Sequence, residues 1–108
     1  MLDDTLVLCL TEHGRTPQVV GNVVGGGRDH WSDVYSSLVA GGGFGRGRVV
    51  GSSDKHGGFV KDLPISPKDV LCTMYHLLGI DPHRTIPDRL GRPVPLVTGG
   101  EVQQRLLA

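Results

Sequence analysis

The sequence lacks several features that would place it in a familiar class of proteins. Its two cysteines, Cys9 and Cys72, are too few for a disulfide framework, and both lie in apolar segments. Eleven Lys and Arg balance eleven Asp and Glu, so we predict neither nucleic acid nor a membrane surface as a partner. Apolar runs reach about six residues, against roughly 20 for a membrane span, and we expect no signal peptide in the chain as written.

Glycine and proline are abundant instead. The chain has 17 Gly and 7 Pro in 108 residues, about 22% against an average of roughly 12%, which predicts many turns. This fraction is below the roughly 25–30% of disordered low-complexity chains. Because 38% of the residues are hydrophobic, we predict a packed core and a single globular domain or a part of one.

Three segments predict β-strands. Residues 5–10 are almost continuously apolar, which is typical of a central parallel strand buried on both faces. Residues 35–40 predict a second strand and residues 48–50 a shorter third one, while the glycine-rich residues 18–29 predict a loop. A strand that is apolar on both faces needs cover on both, so we expect missing partner strands or self-association through an uncovered sheet.

The clearest predicted element is a helix over residues 67–78. Ser66 suits the N-terminal cap, Pro67 suits the first helical position, and Gly79 suits the C-terminal cap. The helix has one apolar stripe formed by Val70, Leu71, Met74, Leu77 and Leu78. After it, four prolines between residues 81 and 95 predict an extended surface segment, and residues 101–107 predict a short last helix.

Acidic and imidazole side chains occur in two neighbouring pairs. Glu12 and His13 follow the first predicted strand, and Asp29 and His30 follow the glycine-rich loop. Sites in open α/β sheets gather beyond the carboxyl ends of strands, so we expect Glu12, His13 and His30 to approach one another there. Carboxylates and neutral imidazoles bind divalent metals, which makes these three the candidate metal ligands; the alternative is that each histidine is an ordinary surface or hydrogen-bonding residue.

An arginine lies close in the sequence to each of these acidic–imidazole pairs. Arg15 and Arg28 lie next to them in the sequence, and guanidinium groups bind tetrahedral oxyanions through paired hydrogen bonds. We therefore predict that both contact an anionic substrate. The alternative for each is a structural salt bridge, for example to Asp29 or Asp33.

The other histidines, the second glycine-rich segment and the possible nucleophiles are weaker candidates for a functional site. His56 lies in a polar loop, where exposure to solvent is more common than contact with a substrate, and we interpret His76 and His83 as structural or solvated. The glycine-rich residues 41–47 lack the spacing of a phosphate-binding loop and predict a flexible connection. No Ser, Thr or Cys lies in a recognised nucleophile motif, so the sequence identifies no catalytic nucleophile.

Four motifs follow one another across almost the whole chain. They are Thr-Glu-His-Gly-Arg-Thr-Pro at residues 11–17, Gly-Arg-Asp-His-Trp at 27–31, Ser-Pro-Lys-Asp at 66–69, continuing to Tyr-His-Leu-Leu-Gly-Ile-Asp at 75–81, and Asp-Arg-Leu-Gly-Arg-Pro at 88–93. Together they resemble the C-terminal part of a bacterial sulfatase-like family, the domain of unknown function 1501. That family is related to the alkaline phosphatase superfamily.

The resemblance implies a fold and a site. The implied fold class is α/β, the C-terminal portion of a three-layer α/β/α sandwich with a mostly parallel sheet. The resemblance places Glu12 and His13 where relatives carry an Asp-His metal pair, and His30 at a later metal-binding histidine. Zinc, calcium or manganese are the expected cofactors. The nucleophile and the first metal-binding Asp are expected in preceding segments, so residues 1–108 are interpreted as a single partial domain.

Two functional interpretations remain open. In the first, the full-length protein is a metal-dependent hydrolase of phosphate or sulfate esters, periplasmic or secreted like many relatives, and the chain alone is inactive because it lacks a nucleophile. In the second, it is a non-catalytic secreted binding or structural module with a vestigial metal site. The anionic ester is the expected partner of the first.

Overall fold

The computed structural model describes residues 1–21 and 24–108, so positions 22 and 23 of the predicted loop lie outside the described residues. The elements are β1 (Val7–Cys9), β2 (Gly14–Arg15), β3 (His30–Trp31), β4 (Leu38–Ala40), β5 (Ser52–Ser53), β6 (Val60–Asp62), α1 (Pro67–Leu77), β7 (Thr85–Pro87) and β8 (Pro93–Pro95), with short 3₁₀ turns at Leu2–Asp4 and Gln104–Leu106. In this part of the chain no helix combines the length and the apolar character that a membrane crossing requires.

The strands form small sheets. In the described residues β1 pairs with β4, β2 with β3, β5 with β6, and β7 with β8, and the last three pairs are antiparallel. The predicted fold class, the C-terminal portion of a three-layer α/β/α sandwich with a mostly parallel sheet, is therefore wrong. A sandwich of that kind needs a continuous, mostly parallel sheet with helices on both faces, whereas these sheets have two strands each and three of the four pairs are antiparallel.

The first strand lies where it was predicted, but its burial differs. Val7 in β1 is 43% exposed, Leu10 just after it is 55% exposed, and Leu38 in the partner strand β4 is 60% exposed. A two-stranded sheet has no central strand, and nearly continuous apolar sequence does not by itself supply the layers that bury one. The prediction of a strand at residues 48–50 is also wrong, because β5 begins at Ser52.

The described residues divide into two compact units. One consists of Met1–Val7, Ala40–Arg48 and Ile65–Ala108, and the other of Leu8–Val39 and Val49–Pro64. The buried apolar side chains of the described residues, Phe44, Cys72 and Val97, all belong to the first unit. The second unit carries the candidate site without an apolar core of its own among those residues.

The predicted helix is confirmed as α1. Ser66 accepts the backbone N–H of Asp69 at 3.2 Å, and the Asp69 carboxylate accepts the backbone N–H of Ser66 at 2.7 Å, so the two residues form a capping box. At the other end Gly79 has φ +75°, and the N–H of Ile80 donates to the carbonyl of Tyr75 at 2.9 Å. Glycine adopts this left-handed conformation without strain, which ends the helix.

The C-terminal segment is held against α1 by a buried hydroxyl. Thr73 is fully buried; its Oγ1 donates to the carbonyl of Asp69 at 2.7 Å and accepts the N–H of Gln103 at 2.9 Å. The Asp69 carboxylate also accepts the N–H of Glu101 at 2.8 Å. These bonds hold residues 101–103 extended, so the predicted last helix is reduced to the turn Gln104–Leu106.

The glycine-rich residues 41–47 include one residue of the core, Phe44. Phe44 is 2% exposed, and its neighbours are bonded to the chain end: Gly45 N–H donates to the carbonyl of Leu106 at 2.8 Å and Ala108 N–H to that of Gly43 at 2.9 Å. The expectation of a merely flexible connection is therefore wrong. The proline-rich segment likewise forms a hairpin, β7–β8, rather than an extended stretch without pairing.

Replacing Asp69 with asparagine tests this end of the helix. Partial burial alone raises the pKa of Asp69, but hydrogen bonds from Ser66 and Glu101 outweigh it and hold the pKa below its ordinary value of 3.8. A carboxyl whose pKa is lower in the folded than in the unfolded protein stabilises the fold at pH values above its unfolded pKa. This contribution is lost as the pH falls through the folded pKa. At pH 7 we expect Asp69→Asn to lower the free energy of unfolding by about 1 kcal/mol, as for a lost cap.

The measurement is urea unfolding at pH 7 and at pH 3. The difference between wild type and Asp69→Asn should shrink at pH 3, because this pH lies below the unfolded pKa of 3.8 and part of the contribution of the lowered pKa is lost there. Asp62→Asn, at an exposed position in β6, is the control and should have little effect at either pH. An undiminished difference at pH 3 would show that the ionised carboxylate is not what stabilises the cap.

Candidate functional site

The candidate site is built on the antiparallel pair β2–β3. Gly14 pairs with Trp31 and Arg15 with His30. Thr16 continues the pairing, because its N–H donates to the carbonyl of Asp29 at 2.9 Å and its Oγ1 accepts the N–H of Asp29 at 3.1 Å. The chain therefore returns after the glycine-rich segment and sets residues 28–31 beside residues 13–16.

Three basic side chains share one face of this pair. Residues directly opposite in an antiparallel pair point to the same face, which puts Arg15 beside His30. The ring of His13 stacks on that of His30, with centroids 4.9 Å apart and an interplanar angle of 19°. The expected approach of the two histidines is thus found. All three side chains are exposed, and we call this group the His13–Arg15–His30 face.

The opposite face anchors the hairpin. Trp31 Nε1 donates to the carbonyl of Gly58 at 2.6 Å, and its ring packs edge-on against Phe59 with centroids 5.9 Å apart. Gly14 lies across from Trp31, where a Cβ atom would collide with the carbonyl oxygen of Val34. Sequence reasoning assigned no role to Trp31; its position next to His30, on the alternate face of a strand, was the available signal.

Glu12 is not brought into the same group. It is exposed and lies at a bend outside β2. Within residues 1–21 and 24–108 there is no set of three or more His, Cys, Asp or Glu side chains arranged to hold a metal ion. A structural zinc site has four protein ligands and a catalytic one has three. The described residues therefore offer two adjacent imidazoles, which is less than a complete site, and the role of Glu12, His13 and His30 as ligands stays a prediction.

The two arginines differ in their contacts. Arg15 Nη1 donates to the backbone carbonyl of Arg28 at 3.3 Å, which directs the Arg15 guanidinium toward the segment that precedes β3. Arg28 is exposed just before that strand. The ion pairs of the described residues join Arg46 to Asp3 and Arg92 to Asp88, so in this part of the chain neither Arg15 nor Arg28 forms the alternative salt bridge. Their contact with a substrate stays a prediction.

The loop that contains His56 is shaped by Asp54. The Asp54 carboxylate accepts the N–H of Gly58 at 2.8 Å and that of His56 at 3.1 Å, and these bonds, chiefly the one from Gly58, lower the pKa of Asp54. The carbonyl of Gly58 is the one that binds Trp31, so Asp54 supports the anchor of the hairpin. His56 itself is exposed, as are His76 and His83.

Comparison with known proteins gives one result. No curated protein and no solved structure matches the chain. The family described as "Protein of unknown function (DUF1501)" matches residues 1–107, a range that includes both strands of the candidate site and the capped helix. The chain therefore belongs to this family of proteins of unknown function.

Proposed function

We propose that the protein acts on phosphate or sulfate esters as a metal-dependent hydrolase in its full-length form. The observation that carries the proposal is the His13–Arg15–His30 face, where two stacked imidazoles are exposed and an exposed arginine is paired with His30 across the strands. These groups match the chemistry of a tetrahedral anion, since guanidinium donates paired hydrogen bonds to its oxygens and imidazole donates N–H groups. The resemblance of the motifs to sulfatase-like proteins supports the same class of substrate.

The metal contributes the chemistry that this face lacks. When bound, a divalent ion supplies the Lewis acid and the activated nucleophile of ester hydrolysis. Two imidazoles do not complete its coordination, so no step is assigned to them through a metal. The contribution of the described residues is to bind and orient the anionic group of the ester.

Hydrolysis of a chromogenic phosphate ester and sulfate ester tests the proposal. The natural protein in its full length should hydrolyse at least one of them with added zinc, manganese or calcium. Arg15→Gln should lower kcat/KM about tenfold or more, the equivalent of about 1.4 kcal/mol. Arg84→Gln, which removes an exposed arginine of the other unit, is the matched control. The 108-residue chain by itself should show negligible turnover, because it contains no nucleophile motif.

A second function also fits the described residues, which place two imidazoles together without a third possible metal ligand. A non-catalytic module that binds phosphate or sulfate esters needs the His13–Arg15–His30 face but no third ligand. Under this alternative the full-length protein binds the esters and turns over neither of them with any of the three metals. That outcome would exclude the hydrolase and retain the binding module.

A further inference from the structure

We infer that Asp54 and Trp31 are positioning residues for the His13–Arg15–His30 face, which they hold in shape from the opposite side of β2–β3. Neither residue belongs to that face: Trp31 points to the alternate side of β3, and Asp54 lies in the turn between β5 and β6. The inference deepens the proposed function and rests on it in treating the face as the functional surface. The geometry it concerns is the contact between the rings of His13 and His30.

The first step is the turn that Asp54 closes. Its Oδ1 atom accepts the N–H of Gly58 at 2.8 Å and that of His56 at 3.1 Å. The main chain of Asp54 contributes as well, because its N–H donates to the carbonyl of Phe59 at 2.8 Å and its carbonyl accepts the N–H of Gly57 at 3.1 Å. These bonds fix the orientation of the buried Gly58, and thereby the direction of its carbonyl group.

The second step is the bond from this turn to Trp31. Trp31 Nε1 donates to the carbonyl oxygen of Gly58 at 2.6 Å, and an indole has no other hydrogen-bonding group. The ring also packs edge-on against Phe59, the next residue along the chain, with centroids 5.9 Å apart. The side chain of Trp31 is therefore held at two adjacent residues, both of which are bonded to Asp54.

The third step leads from Trp31 to the two imidazole rings. The residue pairs of β2–β3 are Gly14–Trp31 and Arg15–His30. A two-stranded hairpin is at best marginally stable alone in water, and the rings of His13 and His30 are exposed, so burial contributes little to holding them together. A slip of one residue in register would turn His30 to the other face. The anchored Trp31 opposes such a slip, because its bond to the turn fits one register.

Two substitutions separate the hydrogen bonds of Asp54 from its charge. Asp54→Ala removes the acceptor for Gly58, whereas Asp54→Asn removes the charge and keeps a carbonyl oxygen that can accept the same N–H group. Trp31→Phe breaks the link at its other end, because it keeps an aromatic ring and loses the indole N–H. Asp62→Ala is the matched control, since Asp62 is an exposed aspartate of the same hairpin, β5–β6.

The test is a nuclear Overhauser spectrum of the metal-free 108-residue chain at pH 7, recorded for the wild type and the four variants. The readout is the cross-peak between the imidazole protons of His13 and His30, normalised to a cross-peak within α1. Because α1 belongs to the other unit, its dispersed amide signals also report whether a variant has folded. Asp54→Ala and Trp31→Phe should lose most of the normalised intensity, while Asp54→Asn and Asp62→Ala should keep it.

An unchanged cross-peak in both Asp54→Ala and Trp31→Phe, with α1 intact, would overturn the inference. A loss in Asp62→Ala as large as in Asp54→Ala would overturn it too, because it would show a general loosening of β5–β6. An equally large loss in Asp54→Asn would exclude the accepted hydrogen bonds as the cause. If Asp54→Ala fails to fold, Trp31→Phe decides between the two results.

Failure of the proposed function would be a separate result. A full-length protein that hydrolyses neither ester would leave the contact between the two rings, and its dependence on Asp54 and Trp31, unaffected. Conversely, turnover by the full-length protein would not restore the inference if the cross-peak is insensitive to both residues.

Discussion

Replacing Phe44 with alanine is expected to lower the free energy of unfolding by about 3–5 kcal/mol, the usual cost of truncating a buried phenylalanine. Phe44 is 2% exposed and is one of three buried apolar residues in the described chain, so few neighbours can move in to fill the space. Since domains are typically stable by about 5–15 kcal/mol, this loss is a large fraction of the total and should move the midpoint of urea unfolding to a much lower concentration. Urea unfolding followed by circular dichroism at 222 nm measures it, because α1 belongs to the same unit.

The other phenylalanine provides the control. Phe59 is 57% exposed and contacts the edge of Trp31, so Phe59→Ala should cost about 0.5–1.5 kcal/mol, the range for an aromatic pair. Equal losses in the two variants would contradict the placement of the core around Phe44. A loss at Phe44 at least twice that at Phe59 would support it.

Replacing Gly14 with alanine is expected to disrupt the His13–Arg15–His30 face. The added Cβ would overlap the carbonyl oxygen of Val34 and approach the carbonyl oxygen of Trp31 to 3.3 Å. Backbone atoms cannot rotate away, so β2 has to shift, at a cost of about 1–3 kcal/mol for overpacking. Phosphate binding to the chain should fall about tenfold or more, because His13 and Arg15 flank the substituted residue.

Gly27→Ala is the matched control for this variant. Gly27 pairs with Val20 in the same unit, and a Cβ atom there would meet no atom within 4 Å. Its stability and phosphate affinity should stay close to those of the wild type. If both variants bind phosphate as the wild type does, the close packing of Gly14 does not control the geometry of the face.

Local signals in the sequence predicted the helix correctly. Ser66, Pro67 and Gly79 gave both ends of α1, because a cap or a left-handed turn depends on residues that are near in the chain. The burial of the first strand depends on distant layers, and its apolar run looks the same whether those layers exist or not. The core around Phe44 was missed for a similar reason: the residues beside Phe44 bond to the distant end of the chain, where Gly45 N–H donates to the carbonyl of Leu106 and Ala108 N–H donates to that of Gly43.

The candidate site was predictable in part. His13 and His30 were expected together because both belong to short polar motifs that flank a glycine-rich loop, and a loop of that kind can return. Glu12 was expected to join them, but among the described residues it forms no set of three possible metal ligands with the two histidines. The exact pairing of Arg15 with His30 could not be derived, because a shift of one residue in register reverses the face of every side chain.

The measurement that tests the central claim most directly is a nuclear Overhauser spectrum of the metal-free chain, with the imidazole protons of His13 and His30 assigned. The stacked rings, 4.9 Å apart between centroids, should give cross-peaks to each other. The indole N–H of Trp31 and the α-protons of Gly58 form the internal control, since Trp31 Nε1 lies 2.6 Å from the Gly58 carbonyl oxygen. Cross-peaks for both pairs are predicted; a cross-peak for the control without one between the histidines would contradict the existence of the His13–Arg15–His30 face.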